Sequence, residues 1–181
     1  MDESLGRIKW MSVETAMTRD VVSVKATDKV KDAWLTLMEA DVSGAPVVGQ
    51  AGEIVGILSI TDIHRAIFQR VQKARSLRES QMQNINEEEL EKEELRELTL
   101  AIRAAADSTV EMLLPRDQKL LTLSPHDSLD RAIRLMAEHS VNRLPVVKDN
   151  KVEGIVSRQD IIWLVAGRPE KEKHHEPADG T

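Results

Sequence analysis

The chain repeats itself, and that duplication restricts its possible folds more than any other feature of its 181 residues. At an offset of 99, Asp28 aligns with Asp127, Val30 with Leu129, Ala33 with Ala132, Trp34 with Ile133, Glu39 with Glu138 and Val42 with Val141, and Pro46-Val47-Val48 aligns with Pro145-Val146-Val147. At an offset of 98, Gly56-Ile57-Leu58-Ser59 and Asp62-Ile63 align with Gly154-Ile155-Val156-Ser157 and Asp160-Ile161. Self-similarity at a fixed spacing decides a fold before local propensity does. The single deletion between the two offsets falls where a turn is expected.

Each copy reads as the same series of elements. Residues 21–24 and 120–123 are short β-prone runs. Val30, Ala33, Trp34, Leu37 and Met38 follow at the spacing of a helix with one buried stripe, and Leu129, Ala132, Ile133 and Met136 repeat it. Asp28 and Asp127 stand just before these stripes, where a carboxylate can accept the unpaired N–H groups of a first turn. Two apolar runs, 45–48 and 54–58, are joined by Gly49-Gln50-Ala51-Gly52, the composition of a hairpin turn; the second copy uses Asp149-Asn150-Lys151. A second helix starts at Asp62 or Asp160. The expected fold is mixed α/β (α+β), a β-α-β-β-α unit occurring twice.

Residues 64–109 have no counterpart elsewhere. Ile63, Ile67, Phe68 and Val71 continue one helix. Another starts near Asn86, where Asn86 with Glu89 has capping-box spacing and Ile85 with Leu90 has staple spacing. Leu95, Leu98, Ala101, Ile102 and Ala105 give this helix a narrow apolar stripe, so the insertion is expected to be a helical hairpin with a break near 83–85. The acidic run Glu87 to Glu97 reads as a solvated helix face. Residues 168–181 are polar and expected to be disordered, and adjacent His174 and His175 in such a tail do not suggest a metal site.

Composition narrows the function. Four aromatic side chains (Trp10, Trp34, Trp163 and Phe68), no Tyr and a net charge of −6 leave neither the stacking platform nor the positive surface of a nucleic-acid binder. Absence of Cys removes disulfides, thiolate nucleophiles and cysteine metal sites. No apolar run approaches the ~18 residues of a membrane span, so the expectation is a cytoplasmic protein without a membrane partner. No Ser-His-Asp set, P-loop or H-E-x-x-H spacing is present, so catalytic residues and metal ligands are expected to be none.

The segments Gly44-Ala45-Pro46-Val47-Val48 with Gly56-Ile57-Leu58-Ser59-Ile60-Thr61-Asp62-Ile63, and Arg143-Leu144-Pro145-Val146-Val147 with Gly154-Ile155-Val156-Ser157-Arg158-Gln159-Asp160-Ile161, resemble two cystathionine-β-synthase (CBS) domains in tandem, a Bateman module. Thr15-Ala16-Met17-Thr18 and Glu111-Met112-Leu113-Leu114-Pro115 resemble the family's short opening helix. The expected organisation is an N-terminal segment 1–11, a first repeat 12–66, a helical hairpin insertion 67–108, a second repeat 109–167 and a tail 168–181. The resemblance implies a pseudo-two-fold pair that requires no cofactor and binds adenosine-containing ligands (AMP, ADP or ATP, with S-adenosylmethionine as the alternative) in clefts between the repeats, as a homodimer that regulates a further protein.

The motif has a physical logic of its own. A glycine lets a ligand approach the backbone closely, a helix start attracts phosphate, and an acceptor-only carboxylate suits two ribose hydroxyls. The resemblance implies a first site combining Ser59, Thr61 and Asp62 with Val141, Asn142, Arg143 and Pro145. It implies a second combining Ser157 and Asp160 with Val42, Ser43, Gly44, Ala45 and Pro46. Arg143 offers phosphate a planar fork of donors where the other copy has Gly44, and Gln159 replaces the usual hydroxyl residue. The leading function is therefore a non-catalytic nucleotide sensor. The alternative is a structural interaction module with empty clefts, acting through the insertion. The run Ile161 to Ala166 is apolar all round and calls for a second surface, as in a homodimer.

Overall fold

The computed structural model describes residues 9–79, 87–115 and 120–166. These form a mixed α/β structure with five α-helices and two small sheets, divided into two compact units. One unit is the continuous stretch Val22–Leu120; the other joins both ends of the chain, Met1–Val21 with Leu121–Thr181.

The continuous unit runs through strand β1 (Val24–Lys25), helix α1 (Val30–Glu39), strands β2 (Gly44–Val48) and β3 (Ile54–Ser59), and helices α2 (Ile60–Glu79) and α3 (Glu87–Ala106). β1 lies parallel to β2, which α1 makes possible as the crossover, and β2 lies antiparallel to β3 across the turn that holds Gly52 at φ +80. The unit made from both ends holds helix α4 (Leu129–Glu138), strands β4 (Arg143–Lys148) and β5 (Lys151–Ser157), and helix α5 (Arg158–Val165). Its hairpin turns tightly because Asp149 and Asn150 both take positive φ, a conformation that short polar side chains tolerate.

Both hairpins form where the apolar runs predict them, while three expectations change. The strand expected at 21–24 shortens to Val24–Lys25, and that at 120–123 reduces to one parallel bridge between Leu123 and Val146. Only Leu123 reaches the ladder, donating to Pro145 O at 3.0 Å and accepting from Val147 N at 2.7 Å. The helical stripes are also narrower than their spacing suggests. α1 buries Val30, Ala33 and Leu37, but Trp34 is 37% and Met38 49% exposed; α4 buries Leu129, Ala132 and Met136, with Ile133 43% exposed. A ten-residue helix laid on a sheet of two or three short strands presents one row to it, and the flanking row stays outside.

The third change concerns helix starts. Asp28 and Asp127 do not cap α1 and α4. Their carboxylates turn back to accept from Lys25 N at 2.7 Å and Ser124 N at 2.8 Å, and the capping positions are Lys29 and Ser128. The first helical N–H groups are satisfied instead by backbone from a remote stretch of chain. Val30 N donates to Ser108 O, and Leu129 N to Met11 O, each at 2.9 Å. The exchange is reciprocal: Val110 N donates to Asp28 O at 2.9 Å and Val13 N to Asp127 O at 2.8 Å.

The segments that make these bonds also fill the cores. Val13 and Met17 lie at 0% and 2% exposure among Leu123, Leu129, Met136, Leu144, Val146, Val156 and Ile161. Val110 lies at 0% exposure among Val24, Val30, Leu37, Val47, Leu58 and Ile63. The opening segment of the chain thus completes the core of the second copy, and the segment after the insertion completes that of the first. Gly154 shows how close the fit is. A Cβ there would lie 2.6 Å from Met17 Sδ and 3.1 Å from Thr18 O, so this glycine admits the chain's own opening segment.

The insertion is helical on both sides of the expected break: α2 and α3 pack against each other, while 83–85, Asn86, and the side chains of Glu89 and Leu90 lie outside what is described, as does the tail with His174 and His175. The expected apolar stripe on α3 divides. Ala101 and Ala105 are buried, whereas Leu95 is 66%, Leu98 39% and Ile102 41% exposed. Small side chains let the helix approach its neighbours, and the longer ones are left outside.

The return from α3 to the sheet is pinned by Asp107, whose Oδ1 accepts from Lys31 Nζ at 2.8 Å, with Lys29 Nζ at 3.9 Å. The Lys31 hydrogen bond and charge hold Asp107 below the usual carboxylate range, and Asp107 raises Lys31 in turn. A carboxylate depressed in the folded state stabilises above its ordinary pKa and loses that contribution as pH falls through the depressed value; the raised lysine loses its own as pH rises through the raised one. Melting temperatures of the wild type and Asp107→Asn should therefore differ near neutrality and converge as pH falls through the carboxylate range. The difference is small because both side chains face solvent.

Candidate ligand-binding turns

Each hairpin ends in a serine that starts the following helix, with an aspartate three residues on. At the start of α5, Ser157 accepts from Asp160 N at 3.3 Å, and Asp160 Oδ2 accepts from Ser157 N at 2.7 Å and from its hydroxyl at 2.6 Å. This is a complete capping box. Ser59 and Asp62 repeat it at α2: Asp62 N donates to Ser59 Oγ at 3.2 Å, and Asp62 Oδ2 accepts from Ser59 N at 3.0 Å and from the hydroxyl. The capping residue is therefore the serine, and the aspartate closes the box. Ser157→Ala should cost about 0.5–2 kcal/mol, the usual worth of such a cap, measured from urea unfolding midpoints.

The loop before the hairpin meets the same turn. Asp41 and Ser140 take positive φ, which directs Val42 N to Leu37 O at 3.0 Å and Val141 N to Met136 O at 3.1 Å. Ile60 N then donates to Ser43 O, and Arg158 N to Asn142 O, each at 3.0 Å. The strand register completes the arrangement by setting Gly44 opposite Ser59 and Arg143 opposite Ser157.

Within the continuous unit the structure thus brings together Val42, Ser43, Gly44, Ser59, Thr61 and Asp62. Within the other it brings together Val141, Asn142, Arg143, Ser157 and Asp160. Ser43, Thr61 and Asn142 are exposed; Arg143, Ser59, Asp62, Ser157 and Asp160 are half-buried. Ala45, Pro46 and Pro145 are buried in their sheets, and Val42 and Val141 pack on the two cores. Gly44 is required by the sheet, since a Cβ there would lie 2.8 Å from Leu58 O.

The two turns differ in charge. Arg143 stands in the unit of Ser157 and Asp160, where Gly44 holds the matching place by Ser59. Arg65 Nη1 contacts Asp62 Oδ1 at 3.1 Å, while the residue three on from Asp160 is Trp163. Sequence reasoning missed Arg65; its only signal was an aspartate and an arginine three apart on a helix. Chemically, each turn offers a carboxylate acceptor, a serine hydroxyl and the N-terminus of a helix, with Thr61 adding a second hydroxyl at the first turn only, a set suited to a polyhydroxylated anion.

The family model for the CBS domain matches residues 13–69 and 114–167, more than half of the chain. The chain belongs to the CBS domain family. It is 27% identical over 153 residues to the uncharacterized protein MJ1426 of Methanocaldococcus jannaschii, covering 84% of this chain and 89% of that protein. Among solved structures it is similar to the CBS domain of a CBS-domain-containing membrane protein from Sphaerobacter thermophilus (TM-score 0.65, 25% identity, 90% of this chain and 92% of that one). It is also similar to CBSX2 in complex with AMP (TM-score 0.61, 25% identity, 86% and 96%). Three further curated relatives are longer proteins: the matched part of this chain is 64 residues and 13% of one, and 159 and 157 residues and 33% and 24% of the other two. Tandem CBS domains are regulatory modules as a class, and enzyme names among such relatives belong to fusions with other domains. No helix among the described residues is long and apolar enough to cross a membrane.

Proposed function

We propose that this CBS pair is a non-catalytic sensor that binds adenosine-containing ligands of the AMP, ADP or ATP class and passes its ligand state to a partner protein. The observation that carries the reading is the twofold occurrence of a Ser-x-x-Asp helix start tied by backbone hydrogen bonds to its hairpin loop, in a chain whose relative CBSX2 is solved with AMP. In this reading Asp62 and Asp160 accept from ribose hydroxyls, and Ser59, Thr61 and Ser157 with the helix N-termini face phosphate. Ser43, Asn142 and the neighbouring loop residues Val42, Gly44, Val141 and Arg143 frame the ligand.

The sequence expectation assigns Arg143 to the site of Asp62; the register of Arg143 opposite Ser157 favours Asp160 as its companion at one ligand. A thermal-shift panel of AMP, ADP, ATP, NAD and S-adenosylmethionine tests the function. A ligand at 100 times its Kd should stabilise the fold by about 2.7 kcal/mol. If none of the five shifts the melting temperature, the clefts are empty and the interaction-module alternative, with the exposed Leu95 and Leu98 of the insertion, replaces this reading. The same proposal includes a homodimer formed through α5, which leaves Ile162 63% and Val165 44% exposed. Sedimentation of a monomer at tens of micromolar would refute the dimer.

A further inference from the structure

We propose that Arg65 holds the first turn closed to a ribose diol, so that the Ser157–Asp160 turn is filled first; the inference rests on the adenosine reading above. At the first turn both carboxylate oxygens of Asp62 are engaged. Oδ2 accepts from the backbone and hydroxyl of Ser59, and Oδ1 accepts from Arg65 Nη1 at 3.1 Å. At the second turn Oδ2 of Asp160 is engaged in the same way by Ser157, whereas Oδ1 has no hydrogen-bond or ion-pair partner among the described residues. The difference comes from one substitution between the copies, Arg65 against Trp163, at the position one helical turn beyond the aspartate.

A vicinal diol donates two hydrogen bonds and needs open lone pairs on its acceptor. Asp160 Oδ1 supplies them at no cost, while a diol arriving at Asp62 must displace the guanidinium or share the oxygen with it. Arg65 is held in place by its spacing on α2, and its side chain is 59% exposed. An exposed pair of this kind is worth up to about fivefold in an equilibrium constant, so Arg65 weakens occupancy of the first turn without abolishing it. The duplicated chain would thus have two thresholds for one ligand class.

Calorimetric titration with adenosine, which carries the diol and no phosphate, tests the order of filling. The proteins are the wild type, Asp62→Ala, Asp160→Ala and Arg65→Gln in the Asp160→Ala background. Expected results are loss of the tighter event in Asp160→Ala, its retention in Asp62→Ala, and an about two- to fivefold gain in the remaining affinity when Arg65→Gln is added. The masking is overturned, with the adenosine reading intact, if Asp62→Ala removes the tighter event. It is equally overturned if Arg65→Gln leaves the remaining affinity unchanged, weakens it or fails to produce measurable binding. Absence of binding by all four proteins overturns both.

Discussion

Met17→Ala should destabilise the unit built from both chain ends by about 2–5 kcal/mol, the range for truncating a fully buried methionine. Met17 is 2% exposed, packs with Val13 in a core whose other buried residues lie beyond 120, and has its sulfur against Gly154. It should act like any central core position. The tryptophans locate the effect, because Trp163 reports on that unit and Trp34 on the continuous one. In a Trp10→Phe background, urea unfolding followed through a Trp34→Phe variant isolates Trp163, and its midpoint should fall on adding Met17→Ala. An unchanged midpoint would show that the opening segment adds nothing to that core.

The second large effect concerns ligand. If Arg143 donates charge-assisted hydrogen bonds to a phosphate, Arg143→Ala should cost about 1.5–3 kcal/mol in AMP affinity, between one and two powers of ten. Adenosine should lose far less, because it lacks the group the guanidinium binds. Asp160→Ala should weaken AMP and adenosine together, since both carry the diol, and contacts shared by two neighbouring groups make the double mutant less than additive. Equal losses of AMP and adenosine in Arg143→Ala would assign the arginine a structural part, whereas a pattern in which Asp62→Ala, not Asp160→Ala, removes the phosphate-dependent event would return the arginine to the site of Asp62.

Much of this arrangement is legible in the sequence. Apolar runs closed by Gly49 to Gly52 or by Asp149 and Asn150 define hairpins locally, and a pattern that occurs twice is twice constrained. The serine and aspartate of each turn were also visible, although the capping role lies with Ser59 and Ser157. What could not be read was long-range. Nothing in the spacing of Val13, Met17 or Val110 says which core they enter, because the residues they meet lie about a hundred positions away or belong to the other copy's sequence neighbourhood. Asp28 misled for the same reason. The donor it was expected to cap already has Ser108 O, supplied from beyond the insertion, which frees the carboxylate for Lys25. Arg65 was overlooked because a charged pair three apart on a helix is ordinary until one partner turns out to be the aspartate of the turn.

The division of the chain also sets an order of events at the ribosome. Once residues up to about Leu120 have emerged, everything needed for the continuous unit is outside the exit tunnel. Val13 and Met17, made earlier, have nothing to pack on until the hairpin of Arg143 to Ser157 and helix α5 follow. At bacterial-like synthesis rates that wait is on the order of ten seconds. During it, the apolar side chains of Val13 and Met17 are unburied and tethered to a folded body, available to chaperones and proteases. The core of that unit closes only when α5 brings Ile161 to the cluster of Val13 and Met17, so a product truncated after the first repeat leaves those two side chains without a core.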